Sequence, residues 1–251
     1  MRNIKLIIEY DGTRFSGWQW QPKDRTVQDE LQKSIFKILK EQVNLIGSGR
    51  TDAGVHAIGQ VANFHTGTSM TAFKMKAALN GTLPKDVRVL SVEDVPDSFH
   101  SRFDATDREY HYTVAKREKA IGRDYCYLFR RKIDVDRMRR ASEYLIGTHD
   151  FQSFCQSNSE VDHYLCSVKS IRIVETDDVL RLEIISNRYL HNMVRIITGT
   201  LLQVGTKKIE PAHMKEILEA RDRRAAGLTV PATGLCLVRV QYQALSVVSK
   251  R

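Results

Sequence analysis

A short glycine-rich segment of the sequence brings together side chains that could catalyse a reaction. Residues 47–56 read GSGRTDAGVH, which places the Asp52 carboxylate between the Arg50 guanidinium and the His56 imidazole. Glycine permits positive φ and lets a ligand approach the main chain, so this pattern is typical of a loop that forms a site. Such a carboxylate can act as a nucleophile or general base when it is ionised, and an arginine within about 4–6 Å favours that form. The alternative is an aspartate that only caps a turn.

The hydrophobic pattern predicts the elements that must position this loop. In the first half it predicts two helices, capped by Thr26 and Thr71, and strands at 4–10, 43–47, 58–65 and 87–95. In the second half it predicts helices at 135–146, 190–204 and 211–221, and strands at 109–115, 168–174, 179–185 and 234–242. We therefore expect an α+β protein with two ferredoxin-like (βαββαβ-type) halves, whose largely antiparallel sheets flank a central basic cleft.

The two predicted domains differ in charge. Residues 1–107, the α+β half with the catalytic loop, hold 14 Lys+Arg and 13 Asp+Glu, whereas residues 108–251 hold 25 and 17. The second half also carries the predicted strand 109–115, which holds two tyrosines, and much of its basic excess lies between Lys116 and Arg140 among alternating aromatic residues. This composition suits a phosphate backbone and unpaired bases, but a solvated edge strand protected by Lys and Arg would show the same pattern.

Two further features of the second half are candidates for a site. Tyr110 and Tyr112 are two residues apart in a predicted strand and therefore share a face, which is most often a core face. Arg195 lies at the start of the largely apolar helix predicted at 190–204. It could bring a second cation to the Asp52 carboxylate, or it could lie on the helix surface.

Several classes of protein are excluded. The N-terminal apolar run, 4–10, is too short and too interrupted by charge for a signal sequence or a membrane span. The loop lacks the lysine of a Walker A motif and the third glycine of a dinucleotide fingerprint. The sequence has four widely spaced cysteines, Cys126, Cys155, Cys166 and Cys236, and no Cys-x-x-Cys pair. This spacing argues against a disulfide framework or a zinc site, and it favours a protein of the reducing cytosol.

Motifs along most of the chain resemble the TruA family of tRNA pseudouridine synthases. The loop is similar to the family's GRTDxGVHA signature, residues 10–19 to its YDGxxFxGWQ, and 108–112 to its R-x-Y-x-Y. Further similar segments follow in the family's order: 28–31 (VQxxLE), 80–84 (LNxxLP), 99–103 (FHxRF), 150–155 (DFxSF), 190–195 (FxxxMVR) and 231–237 (APxxGLYL). Gln32 and Cys236 depart from the usual acidic residue and tyrosine, both outside the loop.

The resemblance implies an isomerase that converts uridine to pseudouridine in the anticodon stem-loop of tRNAs, at positions 38, 39 and 40. It implies that Asp52 is the catalytic residue, that Tyr110 contacts the target uridine, and that Arg50 and Arg195 are pocket cations. The reaction breaks the N1–C1′ bond, rotates the uracil and rejoins it through C5, so it requires no cofactor and no metal. The family acts on tRNA as a homodimer, and we expect a cytoplasmic protein without membrane contact.

A second hypothesis is a non-catalytic RNA-binding protein or tRNA chaperone with two RRM-like sheets. Such a protein needs an RNP1-type run of aromatic residues on a central strand to stack bases. The sequence contains no such run, and this hypothesis leaves the Arg-Thr-Asp-Ala-Gly segment unexplained.

Overall fold

The computed structural model describes residues 1–157 and 161–243 and divides them into two compact units. The first unit contains residues 1–53, 57–108 and 238–243, and the second contains 54–56 and the described part of 109–237. Across the described residues there are ten strands and five α-helices. None of the helices in this part of the chain is long and apolar enough to cross a membrane.

The first unit has a ferredoxin-like strand order. Its elements in chain order are β1 (Arg2–Tyr10), α1 (Val27–Leu39), β2 (Ile46–Gly47), β3 (His56–Thr66), α2 (Ala72–Thr82) and β4 (Val87–Val95). The strands are ordered β4-β1-β3-β2, and the pairs β1–β3, β1–β4 and β2–β3 are antiparallel. The last strand of the chain, β10 (Leu235–Tyr242), also pairs with β3.

Alternating and helical apolar spacing builds the core of this unit. Ile4, Leu6 and Ile8 on β1 are fully buried, as expected for one face of a strand. On the helices the buried residues recur at helical spacing: Leu31 and Ile35 on α1, Met75 and Leu79 on α2. The predicted helix caps are confirmed, because Thr26 accepts a hydrogen bond from the Asp29 amide and Thr71 accepts one from the Lys74 amide.

The second unit repeats the arrangement with additions. Its elements are β5 (Ala105–Ala115), β6 (Tyr127–Leu128), α3 (Val135–Glu143), β7 (Gly147–Asp150), β8 (Leu165–Glu175), β9 (Val179–Ser186), α4 (Met193–Gly205), α5 (His213–Ala220) and the start of β10. The strand order is β10-β5-β9-β8-β7, with β6 parallel to β5. Helix α4 is buried on nearly every side, as its apolar composition predicts.

The predicted mixed α/β class with mainly antiparallel strands is confirmed. Helix α3 ends at Glu143, earlier than predicted. The Leu145 and Ile146 amides donate to carbonyls three residues before them, as in a 3₁₀ turn, and Gly147, at φ 112°, then begins β7. Strand β7 was not predicted, since it is short and lacks alternating apolar residues. Strand β6 lies among the alternating aromatic residues for which an edge strand was the alternative. The basic cleft and the division of roles between residues 1–107 and 108–251 stay predictions.

Candidate active site

The glycine-rich segment 47–56 forms the connection from β2 to β3. Ser48 and Thr51 are buried, whereas Arg50 is exposed and Asp52 is partly exposed. Gly54 has φ 79°, a backbone conformation that favours glycine. The segment is therefore a structured loop that buries its small hydroxyl residues and leaves its charged side chains accessible.

Buried polar side chains of the sheet hydrogen-bond to this loop and hold it in place. The fully buried Gln60 of β3 accepts a hydrogen bond from Ser48 Oγ at 2.7 Å and donates one to the Gly49 carbonyl at 3.0 Å. At the end of β1, the Tyr10 hydroxyl shares a hydrogen bond of 2.8 Å with Thr51 Oγ1. Buried polar groups are costly unless they are hydrogen-bonded, so these contacts favour a single loop conformation.

The segment that resembles the YDGxxFxGWQ motif holds the loop from its other side. The Trp18 amide donates to the Thr51 carbonyl at 3.0 Å, and the Trp18 ring is buried against Gly47. Gly17 has φ 94°, and a Cβ at this position would lie 2.6 Å from the Thr51 carbonyl oxygen. Only glycine allows this close approach of the two backbones.

Arg50 makes its hydrogen bond to an amide side chain and not to Asp52. Its Nε donates to Gln19 Oε1 at 3.1 Å, and Gln19 in turn donates to Gln28 Oε1 at 2.9 Å. Gln28 Nε2 donates to the Leu45 carbonyl at 2.9 Å, just before β2. The guanidinium is thus oriented by a chain of neutral amides, and this contact leaves its charge uncompensated.

Arg108, the arginine of the segment that resembles R-x-Y-x-Y, is a further residue that positions the loop. One of its terminal nitrogens donates both to the Ser48 carbonyl at 2.8 Å and to the Arg102 carbonyl at 2.9 Å. It therefore links the loop to the segment between β4 and β5. Arginine suits this position because its planar guanidinium offers several donors in a fixed geometry.

Sequence reasoning did not assign a role to Gln60 or Arg108. A signal for Gln60 is available, since it is a polar residue inside an otherwise apolar stretch of β3 and so requires a buried partner. No comparable signal exists for Arg108, because its contact with Ser48 spans 60 residues and depends on the fold.

In the second unit, Tyr110 and Tyr112 project from one face of β5 and both are buried. The Tyr110 ring is 8% exposed and meets Tyr189 edge to face, at 4.9 Å between centroids and an interplanar angle of 77°. The Tyr112 hydroxyl donates to the Pro231 carbonyl at 2.7 Å, and burial raises the pKa of Tyr112 well above its usual range. Tyr112 therefore has a structural role, as expected of a core tyrosine, and Tyr110 retains a small accessible surface.

Arg195 lies in the first turn of α4 and is partly buried rather than extended on the helix surface. Its Nε donates to the Val230 carbonyl at 2.8 Å and its Nη1 donates to Asn192 Oδ1 at 2.6 Å. Its charge also acts on Tyr112, lowering that residue's pKa against the larger effect of burial. The structure thus brings together the segments 190–195 and 231–237, which are distant in sequence. The convergence of Arg195, Tyr110, Arg50 and Asp52 on one substrate stays a prediction.

Comparison with known proteins agrees with these motifs. The model of a family described as tRNA pseudouridine synthase matches residues 6–104 and 141–243. The tRNA pseudouridine synthase A of Clostridium kluyveri is 45% identical over 244 residues, which are 96% of this chain and 100% of the relative. The protein of the same name from Bacillus subtilis is 45% identical over 243 residues, 95% of this chain and 98% of the relative.

One chain of a solved Cbf5–Nop10–Gar1 complex aligns with 93% of the present chain over 57% of its own length, at 12% identity. The TM-score of this alignment, 0.37, is too low to bear on the fold. The family model, in contrast, covers most of the chain, and the two relatives match it over nearly their whole length. This chain therefore belongs to the TruA family of tRNA pseudouridine synthases, which are isomerases.

Proposed function

We propose that this chain isomerises uridine to pseudouridine at positions 38–40 in the anticodon stem-loop of tRNAs, with Asp52 as the catalytic carboxylate. The observation that carries the proposal is the way the loop is held. Its buried residues, Ser48 and Thr51, are fixed by hydrogen bonds to Gln60 and Tyr10, while the adjacent Asp52 is partly exposed. A catalytic group on a loop that is ordered before substrate binds loses little orientational freedom in the reaction.

Two routes are chemically available to the Asp52 carboxylate. In the first it attacks C1′, which breaks the N1–C1′ bond, releases uracil with the bonding electrons and leaves an ester. In the second it removes the C2′ proton, and uracil departs by elimination. In both routes the base then turns and C5 bonds to C1′, which breaks the ester in the first case and returns the C2′ proton in the second. The proton on C5 then passes to solvent, and N1, which left with the bonding electrons, takes up a proton.

The remaining roles follow from the family resemblance and are supported by the local geometry. Tyr110 contacts the target uridine, since its ring is held against Tyr189 and so presents a fixed surface to a base. Arg50 acts as a pocket cation, because its contact with the neutral Gln19 leaves its charge available to an anionic group. Arg195 acts as the second cation, oriented by two oxygen acceptors, the Val230 carbonyl and Asn192 Oδ1.

Tritium release from tRNA labelled as [5-³H]uridine tests the proposal. We expect wild type to release tritium and Asp52→Asn to release none while it binds tRNA with unchanged affinity, because asparagine can neither attack C1′ nor accept the C2′ proton. Asp24→Asn, an exposed aspartate of the same unit, is the control and should retain full activity. Near-full turnover by Asp52→Asn would contradict the mechanism. No release by wild type that binds tRNA tightly would indicate the non-catalytic RNA-binding protein instead.

We further propose that the enzyme is a homodimer and works in the cytoplasm. The homodimer is implied by the family resemblance, and the compartment by the tRNA substrate and the four free cysteines. Sedimentation equilibrium that gives 28.8 kDa, the mass of one chain, would contradict the first proposal. Recovery of the protein outside the cytoplasmic fraction would contradict the second.

A further inference from the structure

The segment between β4 and β5 exposes an aromatic side chain that the fold does not use. The Phe103 side chain is 74% exposed. The His100 ring packs on it at 4.3 Å between centroids and an angle of 31°, and the Arg102 guanidinium lies 5.6 Å from the ring centre. We call His100, Arg102 and Phe103 the aromatic platform. It combines an accessible ring with a cation, which is the composition that single-stranded nucleic acid requires.

The aromatic platform stands on a rigid base. Ser101, between its members, is fully buried: its amide donates to Asn63 Oδ1 at 2.9 Å, its hydroxyl donates to the Ile46 carbonyl at 2.6 Å, and its carbonyl accepts from the Tyr242 hydroxyl at 2.7 Å. Phe99 is buried against the Tyr242 ring at 5.1 Å. The exposure of Phe103 is therefore not the result of a loosely held loop.

The backbone also fixes the orientation of the histidine in the aromatic platform. His100 Nδ1 accepts hydrogen bonds from the amides of Arg102 at 3.2 Å and Phe103 at 3.3 Å, so the single N–H hydrogen of the neutral ring lies on Nε2. The neighbouring Asp104 carboxylate accepts from the His100 amide at 2.8 Å. The imidazole is thereby held against Phe103, and the ring pair presents a stiff surface.

The aromatic platform is adjacent to the glycine-rich loop 47–56, which carries Asp52. The same Arg108 nitrogen contacts the Ser48 carbonyl of the loop and the Arg102 carbonyl of the aromatic platform, so these two oxygens are at most two hydrogen-bond lengths apart. Ser101 also contacts the Ile46 carbonyl of β2, the strand that leads into the loop. An RNA whose target nucleotide lies at the loop would therefore have neighbouring nucleotides within reach of the aromatic platform.

We propose that the aromatic platform is a second base-binding site, which stacks an unpaired base of the tRNA substrate on Phe103 while Arg102 contacts the adjoining phosphate. The proposal rests on the proposed function and deepens it, because it assigns a contact outside the target pocket. Stacking suits any base, so the aromatic platform selects for an unpaired nucleotide near the target and not for a particular sequence. The positive charge beside the ring favours RNA over an apolar segment of a protein partner.

Phe103→Ala and Phe103→Trp test the proposal, with the dissociation constant of an anticodon stem-loop RNA as the readout. We expect Phe103→Ala to weaken binding about tenfold, which corresponds to the contribution of one stacked base. Phe103→Trp should bind within about twofold of wild type, because it retains an aromatic surface. Phe73→Ala removes another highly exposed ring, on α2 of the same unit, and should leave the affinity unchanged. A fully paired, blunt-ended RNA duplex should bind wild type and Phe103→Ala equally.

Three results would overturn the proposal. In the first, Phe103→Ala binds the stem-loop as tightly as wild type. In the second, Phe103→Trp loses as much affinity as Phe103→Ala, so that stacking is not the cause. In the third, Phe103→Ala changes the oligomeric state in sedimentation, which would make this surface a contact between copies of the chain. Failure of the proposed function is distinguishable from all three, because it appears as absence of tritium release by wild type whatever the affinity of the variants.

Discussion

At the scale of single residues, the backbone that leads into Asp52 is held at Thr51, the residue before it. Thr51 is held at its carbonyl by the Trp18 amide at 3.0 Å and at its hydroxyl by Tyr10 at 2.8 Å. Both partners come from a different part of the chain, and Tyr10 is 41 residues away in sequence. Two bonds on one residue fix the backbone from which the Asp52 side chain extends, which suits the proposed role of a nucleophile or base aimed at one ribose.

Gly17 is the residue at which this arrangement is most sensitive to a single methyl group. Gly17→Ala would place a Cβ 2.6 Å from the Thr51 carbonyl oxygen on a backbone at φ 94°. We expect the free energy of unfolding to fall by about 1–3 kcal/mol, the cost of strain at a glycine position, and the turnover rate to fall with it. Urea unfolding and tritium release measure the two effects.

Gly81→Ala is the matched control for Gly17→Ala. Gly81 lies in α2, and a Cβ at this position would meet no atom within 4 Å. Alanine is favoured over glycine in a helix, so we expect this variant to be more stable by about 0.5–1 kcal/mol with unchanged activity. Destabilisation of both variants to the same extent would show that close backbone approach at Gly17 is not the cause.

At the scale of elements, helix α1 contributes a side chain that connects three segments around the loop. Gln28, in its first turn, accepts hydrogen bonds from the Trp20 amide at 2.8 Å and from Gln19, and donates to the Leu45 carbonyl. The helix therefore does more than cover the sheet. It sets the distance between residues 10–20 and the chain that enters β2, and thereby places both sides of the loop 47–56.

The elements themselves were predictable because their apolar residues repeat at strand or helix spacing, as in β4 and α1. Gln28 and Arg50 show why the side-chain contacts between these elements were not predictable. That Arg50 favours the ionised form of Asp52 stays a prediction, and its hydrogen bond to Gln19, which in turn donates to Gln28, was not predicted. Such pairings depend on the order of strands and the entry angle of a helix, which local spacing does not encode.

An ion pair joins the chain before α1 to the turn before β4, and it makes stability depend on pH. Arg25 makes two hydrogen bonds to Asp86, at 2.7 and 2.9 Å, and these lower the pKa of the Asp86 carboxyl. A carboxyl whose pKa is lower in the folded than in the unfolded state stabilises the fold at pH values above its unfolded pKa, about 3.9. This stabilisation is lost as the pH falls through the folded pKa.

Asp86→Asn tests this pair. We expect it to reduce the free energy of unfolding by about 1 kcal/mol at pH 7, since both side chains stay partly exposed and solvent screens the charges. The difference from wild type should shrink as the pH falls below about 4, because Asp86 of the unfolded chain then binds a proton, and it should vanish once the pH lies below the lowered pKa of the folded carboxyl. Urea unfolding at pH 7 and pH 3 measures it, with Asp136→Asn, at an exposed pair with Arg139, as control. A difference that does not change with pH would refute the electrostatic explanation.

At the scale of the whole molecule, fewer of the basic side chains between Lys116 and Arg140 are available to bind phosphate than their number suggests. Six of these basic residues pair with carboxylates within the described residues: Lys116 with Glu175, Arg117 with Asp178, Arg123 with Asp124, Arg130 with Glu118, Arg137 with Glu210, and Arg139 with Asp136. Arg131 and Lys132 are exposed and have no carboxylate partner in the part of the chain that the structure describes. These two residues are the stronger candidates for phosphate contacts.

The salt dependence of tRNA binding distinguishes a phosphate-binding surface from a solvated edge. Each phosphate contact releases counterions, so the Arg131→Ala/Lys132→Ala variant should lower the slope of log affinity against log salt by about one to two. Arg117→Ala/Arg130→Ala also removes two positive charges but takes them from existing ion pairs, and should leave the slope closer to that of wild type. Because the loss of net charge is the same, a difference in slope reports direct contact and not long-range attraction. Equal slopes for both variants and wild type would make this stretch a solvated edge, and the phosphate contacts would then have to lie elsewhere on the protein.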